Sequence, residues 1–193
     1  YTLTEDTQIR NLYLNGDEDL SVVGNSADNH FEGNAGNGTF EGKGGNDSFY
    51  CDKGGNDTYI YNVGDGYDWI TDIGGNDTIR FGEGITANNV SFNQTADGHL
   101  EINFGEQDGS IVIEDYFNTE VDKQIENFVF SDGTTLTDIS SLIVPYSESE
   151  DGEIDENTVN SLIQEMNSYS PEGEMANGDY NQNNDELLQL VAC

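Results

Sequence analysis

The sequence predicts an all-β fold, built as a parallel solenoid of nine-residue units. Three observations carry this. Gly-Gly-Asn-Asp recurs at residues 44–47, 54–57 and 74–77. Each copy is followed, after one small residue, by an apolar one: Phe49, Tyr59 and Ile79. The chain of 193 residues has a formal net charge of -34, with Asp+Glu 39 against Lys+Arg 5. Hydrophobic residues make up only 34%, and high charge with little apolar surface is the signature of disorder. Yet aromatics reach 10% and recur at intervals. That combination predicts a chain that folds only when its carboxylates are neutralised.

The elements follow in order once the Asp of each repeat is taken as position six of nine. GNSADNHFE (24–32), GNAGNGTFE (33–41) and GKGGNDSFY (42–50) run without a gap. DKGGNDTYI (52–60) comes after Cys51, VGDGYDWIT (63–71) after two more residues, and DIGGNDTIR (72–80) closes the series. The eighth positions are Phe31, Phe40, Phe49, Tyr59, Ile70 and Ile79, all apolar. Nine residues are too few for a helix and its return, but they suit a turn of about six and a strand of about three. Each unit buries little alone, so the units must stack. Two units make one coil, with turns on alternate sides.

The turns carry the candidate chemistry. Position six is Asp47, Asp57, Asp68 and Asp77 in the last four units. The turn residues Gly44, Gly45, Gly54, Gly55, Asp65, Gly66, Gly74 and Gly75 complete the candidate set. Hard carboxylate oxygens with main-chain carbonyls on a flexible turn suit calcium. Zinc would want His or Cys, and these turns offer neither. Asn-Asp and Gly-Asn also make ordinary β-turns, and a single copy would be read so. Four in register on so acidic a chain favour the metal.

This pattern resembles the RTX (repeats-in-toxin) family, whose nonapeptide is G-G-x-G-x-D-x-U-x. The resemblance is strong over residues 1–140 and looser beyond, and IRNLYLNGDEDLSVVGNSADN resembles the entry coil before such repeats. It implies a right-handed parallel β-roll that binds Ca2+ between turns two units apart. Carried over, Asp47 pairs with Asp68 and Asp57 with Asp77, giving two complete sites. Position six of the earlier units is Asn29 and Gly38. Sites pairing Asn29 with Asp47, or Gly38 with Asp57, would lack a carboxylate and are expected to be weak or empty.

Residues 81–144 are expected to cap the roll of residues 1–80. HLEINF (99–104) turns Leu100, Ile102 and Phe104 inward, SIVIE (110–114) does so with Ile111 and Ile113, and IENFVFSDGTTL ends at the turn Asp132-Gly133. By period these read as half-buried antiparallel strands, the last ending near Leu136. They resemble the segment downstream of RTX repeats. An open solenoid end needs such a cover.

Residues 145–193 read as an acidic linker and tail. Val159, Leu162, Ile163 and Met166 fall on one face of a short helix, with Asp155 or Asn157 as N-cap. NSLIQEMNSYSP resembles the closing helix of an uncleaved type I secretion signal. SESEDGEIDENT aligns with an EF-hand loop, but Ser fills its first two ligand positions and Thr158 its last, so weak binding is expected there.

Other classes are disfavoured. Nucleic acid and anionic membranes need a basic face, and no Lys or Arg follows Lys123. No stretch has the roughly 18 apolar residues of a membrane span. The start YTLTEDTQIRNLYLNG has no leader pattern and reads as internal to a longer chain. Cys51 and Cys193 read as incidental thiols, although one disulfide between them is conceivable. No HExxH, GxSxG or phosphate loop is present, and His30 and His99 stand alone, so no enzyme is expected.

The resemblance implies a calcium-binding module that folds outside a bacterial cell and carries a C-terminal signal for a larger exported protein. Its partners would be calcium and a type I secretion apparatus of ABC transporter, adaptor and outer-membrane channel. The alternative is an adhesin or glycan-binding module of a secreted or cell-surface protein, such as a toxin or adhesin fragment, taking a neutral glycan or host-surface ligand.

Overall fold

The nine-residue period folds as two stacks of parallel strands. The computed structural model describes residues 1–105, 109–118 and 123–147, all within the unit Tyr1–Ser147. Its first eight strands are β1 (Asn11–Tyr13), β2 (Leu20–Val23), β3 (His30–Glu32), β4 (Gly38–Glu41), β5 (Ser48–Cys51), β6 (Thr58–Tyr61), β7 (Tyr67–Asp72) and β8 (Thr78–Phe81). Odd-numbered strands pair in parallel in the order β1-β3-β5-β7, and even-numbered ones in the order β2-β4-β6-β8. Successive units therefore fall in opposite sheets. The result is a parallel β-solenoid of about four coils, with no helix among the described residues.

The registers place the eighth positions in two columns. Leu12, Phe31, Phe49 and Ile70 are partners across one sheet. Val22, Phe40, Tyr59 and Ile79 are partners across the other. Alternation along a strand sends these side chains between the sheets. Phe31 stacks on Phe49 at 5.3 Å, and Phe40 on Tyr59 at 5.7 Å. Phe49 meets Phe40 and Tyr59 edge-on across the core, at 6.0 and 5.5 Å. Each such pair adds about 0.5–1.5 kcal/mol beyond the area it buries.

Beyond the repeats lie β9 (Ser91–Gln94), β10 (Leu100–Asn103), β11 (Ser110–Ile113), β12 (Asn127–Val129), β13 (Thr135–Leu136) and β14 (Ile143–Val144). Antiparallel strands close the end, as expected: β10 pairs with β9 and β11, and β13 with β12. Two of them also do something the period did not reveal. β11 lies parallel to β7, and β12 parallel to β8. They extend the columns with Ile113 beside Ile70 and Phe128 beside Ile79. The chain thus adds a further pair of strands to the roll after an inserted hairpin. Phe104 stacks on Tyr61 at 4.6 Å, and Phe130 on Phe81 at 4.8 Å. The last strand among the described residues is β14, parallel to β9, and it lies beyond the limit expected at Leu136. Cys51 is a buried free thiol, whose ionisation burial opposes. Cys193, the tail helix and most of the EF-hand-like segment lie outside the described residues.

Neighbours on one strand should differ sharply in cost. Phe49 is buried in the aromatic stack, whereas Tyr50 points outward and is 39% exposed. Phe49→Ala should cost about 3–5 kcal/mol and Tyr50→Ala no more than about 1 kcal/mol, by denaturant unfolding in saturating calcium. Equal losses would contradict the assigned facing.

Candidate metal centre

Each turn delivers its sixth residue to the same place above the strand it leads into. There the carboxylates meet the backbone of the preceding coil. Asn29 N–H donates to Asp47 Oδ1 at 2.7 Å, and Asp47 N–H to Asp68 Oδ1 at 2.9 Å. On the other side, Gly38 N–H donates to Asp57 Oδ1 at 2.6 Å, and Asp57 N–H to Asp77 Oδ1 at 2.7 Å. In the last four units position six is therefore a buried carboxylate, on both sides of the roll, and its hydrogen bonds to the preceding coil form a ladder. The structure brings Asp47 to Asp68 and Asp57 to Asp77.

A ladder this tight needs turns that lie almost on one another. Gly66 and Gly75 show why glycine occupies them. A Cβ on Gly66 would stand 2.0 Å from the Gly45 carbonyl oxygen, and one on Gly75 1.9 Å from that of Gly55. Both backbones also have positive φ, which costs a side-chain-bearing residue. Gly45 and Gly55 are packed in the same way on the backbones of Ala27 and Gly36. Gly44, Gly54 and Gly74 meet only open space or ordinary contacts.

A second ladder runs in the opposite direction and has no counterpart in the sequence reading. Position-five N–H groups donate to side chains of the preceding coil. Asn37 reaches Asp19 Oδ1 at 2.8 Å, Asn56 reaches Asn37 Oδ1 at 2.8 Å, and Asn76 reaches Asn56 Oδ1 at 2.9 Å. Asn46 reaches Asp28 on the other side at 2.8 Å. The Asn of each Gly-Asn-Asp was the available signal, because its side-chain amide can accept where most residues cannot.

The electrostatics of the carboxylates set the chemistry. Burial pushes the Asp68 carboxyl up to about 8, and the charges of Asp47 and Asp65 add to this. Burial pushes Asp47 up to about 7, helped by Asp28 and Asp65. Asp57 and Asp65 are raised from the same cause. The second oxygens Asp47 Oδ2 and Asp57 Oδ2 are buried with no hydrogen-bond partner. Orphaned, desolvated carboxylate oxygens are costly unless protonated or held by a cation. Hard oxygens beside stacked carbonyls form a donor set that fits calcium. When bound, calcium would supply the positive charge that these oxygens lack.

The remaining candidates fall into place around this. Asp65 is turned toward its own loop, where Asn62 N–H donates to Oδ2 at 2.7 Å. Asn29 closes its own turn, accepting Asn25 N–H at 3.0 Å. After Asp77, Glu126 stands at the next position six, and Asp77 N–H donates to it at 2.6 Å. Beyond Asp68 that place holds Ile111, so the two ladders end differently. Asp72, which the period left unmarked, is buried beside Asp57 and Asp77, and Tyr59 O–H donates to its Oδ2 at 2.6 Å.

These shifts set a pH dependence for the metal-free chain. The folded form holds protons on Asp47 and Asp68 up to pH 7 or 8, whereas unfolded Asp releases them near about pH 4. Between these values the folded form binds more protons, so lowering the pH stabilises it. In chelator, the chain should gain β dichroism as pH falls from about 8 to about 5. In saturating calcium this gain should vanish, because calcium displaces the same protons. A metal-free β signal that does not grow toward acid would contradict the assignment.

No curated protein sequence matches the chain. Residues 99–138 match the family model of the haemolysin-type calcium binding protein related domain. That segment holds β10 to β13, the strands that close the roll and extend both of its sheets. The matched segment and the parallel β-solenoid before it together support a calcium-binding module of RTX type.

Proposed function

We propose that this module is unfolded where calcium is scarce, folds on calcium outside the cell, and carries a C-terminal type I secretion signal for a larger exported protein. One observation supports this most: position-six carboxylates are buried in stacked turns, and Asp47 and Asp57 each keep an oxygen with no hydrogen-bond partner, on a chain of net charge -34. Without a cation, stacking the turns forces like charges into a desolvated place. Calcium binding becomes folding free energy when the unfolded chain offers no preformed site. Extracellular calcium modules work at roughly 0.1–1 mM, a range that separates the cell exterior from the cytoplasm. An unfolded chain inside the cell suits export through a narrow channel.

Calcium should fold the chain and magnesium should not, because flexible turns suit the larger ion. Far-ultraviolet dichroism should gain β signal on titration. Trp69, 40% exposed and edge-on to His99 at 5.2 Å, should report it by fluorescence. Asp68→Asn should raise the calcium midpoint clearly, and Asn29→Ala, in a turn that closes on itself, should raise it less. An identical folded spectrum in excess chelator at neutral pH would refute conditional folding.

The tail reading is tested by truncation. A chain ending at Ser147 keeps every described strand, so it should still fold with calcium but fail to leave a cell with a cognate type I apparatus. Normal secretion of that fragment would refute the signal assignment.

A further inference from the structure

The sixth unit differs from its neighbours at position one. In the Asp47 unit that place is Gly42, and a Cβ there would stand 2.1 Å from Asp47 Oδ2. Position one is thus the slot that faces the free oxygen of the position-six carboxylate. In the Asp68 unit it holds Val63, which is exposed. In the Asp57 unit it holds Asp52, also exposed. In the Asp77 unit it holds Asp72, the last residue of β7, which is 1% exposed. Its strand turns it inward instead of out to water.

We propose that Asp72 is a third carboxylate ligand of the Asp57–Asp77 site, and that this site takes calcium first and most tightly. The inference rests on the calcium reading above. One oxygen from each of Asp57, Asp72 and Asp77 lies within 4.8 Å of the others. Oxygens at 2.3–2.6 Å from one cation are at most about 5 Å apart, so a single calcium spans the group. Two oxygens give the cluster a ligand-shaped need. Asp57 Oδ2 and Asp72 Oδ1 are both buried without a hydrogen-bond partner, in residues only 2% and 1% exposed.

The surroundings fit a ligand better than a stray acid. Tyr59, an eighth-position core residue, donates its hydroxyl to Asp72 Oδ2 at 2.6 Å. That bond fixes the carboxylate and leaves Oδ1 without a hydrogen-bond partner, the arrangement by which outer residues orient metal ligands. Glu126 adds further negative charge beside Asp72. The Asp47–Asp68 side has no carboxylate in the corresponding slot, and its ladder ends on Ile111. Ligand charge count tunes calcium affinity, which ranks the two sites.

The experiment is calcium titration of the purified full chain by calorimetry, comparing wild type with Asp72→Asn, Tyr59→Phe and Asp68→Asn. Asp72→Asn should weaken the tightest class of sites by about tenfold or more, whereas Asp68→Asn should weaken a different, weaker class. Tyr59→Phe keeps the carboxylate but frees it, and should weaken the tight class by several-fold; it decides the matter should the Asp72 variant not fold. If Asp72 only holds a proton in the core, asparagine mimics it, and both Asp72→Asn and Tyr59→Phe will bind calcium as wild type does. That outcome overturns the inference and leaves the calcium reading standing. Absence of calcium binding by wild type overturns both.

Discussion

A buried carboxylate that accepts the amide of the coil before it sets the geometry of this roll. The bond from Asp47 N–H to Asp68 Oδ1, and its counterpart from Asp57 N–H to Asp77 Oδ1, can form only if one turn lies directly on the next. The carboxylate satisfies the amide but brings a charge into a place shielded from water. One oxygen is used and the other, on Asp47 and Asp57, is left over. Desolvation then makes the group hold a proton or seek a cation. Under the proposed function, the interaction that aligns the turns also makes them depend on a bound cation.

The rest of the structure inherits that alignment. Strands about 4.8 Å apart let Phe31 stack on Phe49 and Phe40 on Tyr59. The two hydrogen-bond ladders run in opposite donor directions along the axis, so adjacent turns both donate to and accept from each other. Close stacking also excludes side chains, which is why Gly66 and Gly75 sit beneath carbonyls. The ends need different chemistry. Asn29 folds its amide back on Asn25 at the start. Glu126 accepts the Asp77 amide, whereas the strand partner of Asp68 is the apolar Ile111.

Much of this was legible because a short period repeats its errors as well as its rules. Phe31, Phe40, Phe49, Tyr59, Ile70 and Ile79 announced the core, since each unit puts one apolar residue inward. The meeting of Asp47 with Asp68 was implied by the resemblance to the RTX repeat, and the structure brings the two together. What stayed hidden depended on contacts outside the period. Residues 81–109 interrupt the count, so β11 and β12 did not read as continuations of the roll, and Glu126 did not read as a sixth position. Asp72 occupies a slot that holds glycine in the first three units, and only the inward turn at the end of β7 shows that it joins Asp57 and Asp77. The position-five asparagines looked like turn formers because one sequence copy cannot show that its side chain serves the next coil.

The most direct measurement is backbone hydrogen exchange, at neutral pH, of the Asn29, Asp47 and Asp57 amides that donate to the carboxylate ladders. If cation binding holds the turns together, these amides should be strongly protected in calcium. In chelator they should exchange at nearly unfolded rates, together with the amides of β5 and β6. Equal protection with and without calcium would contradict the account, because it would mean that the stacked turns hold without a bound cation.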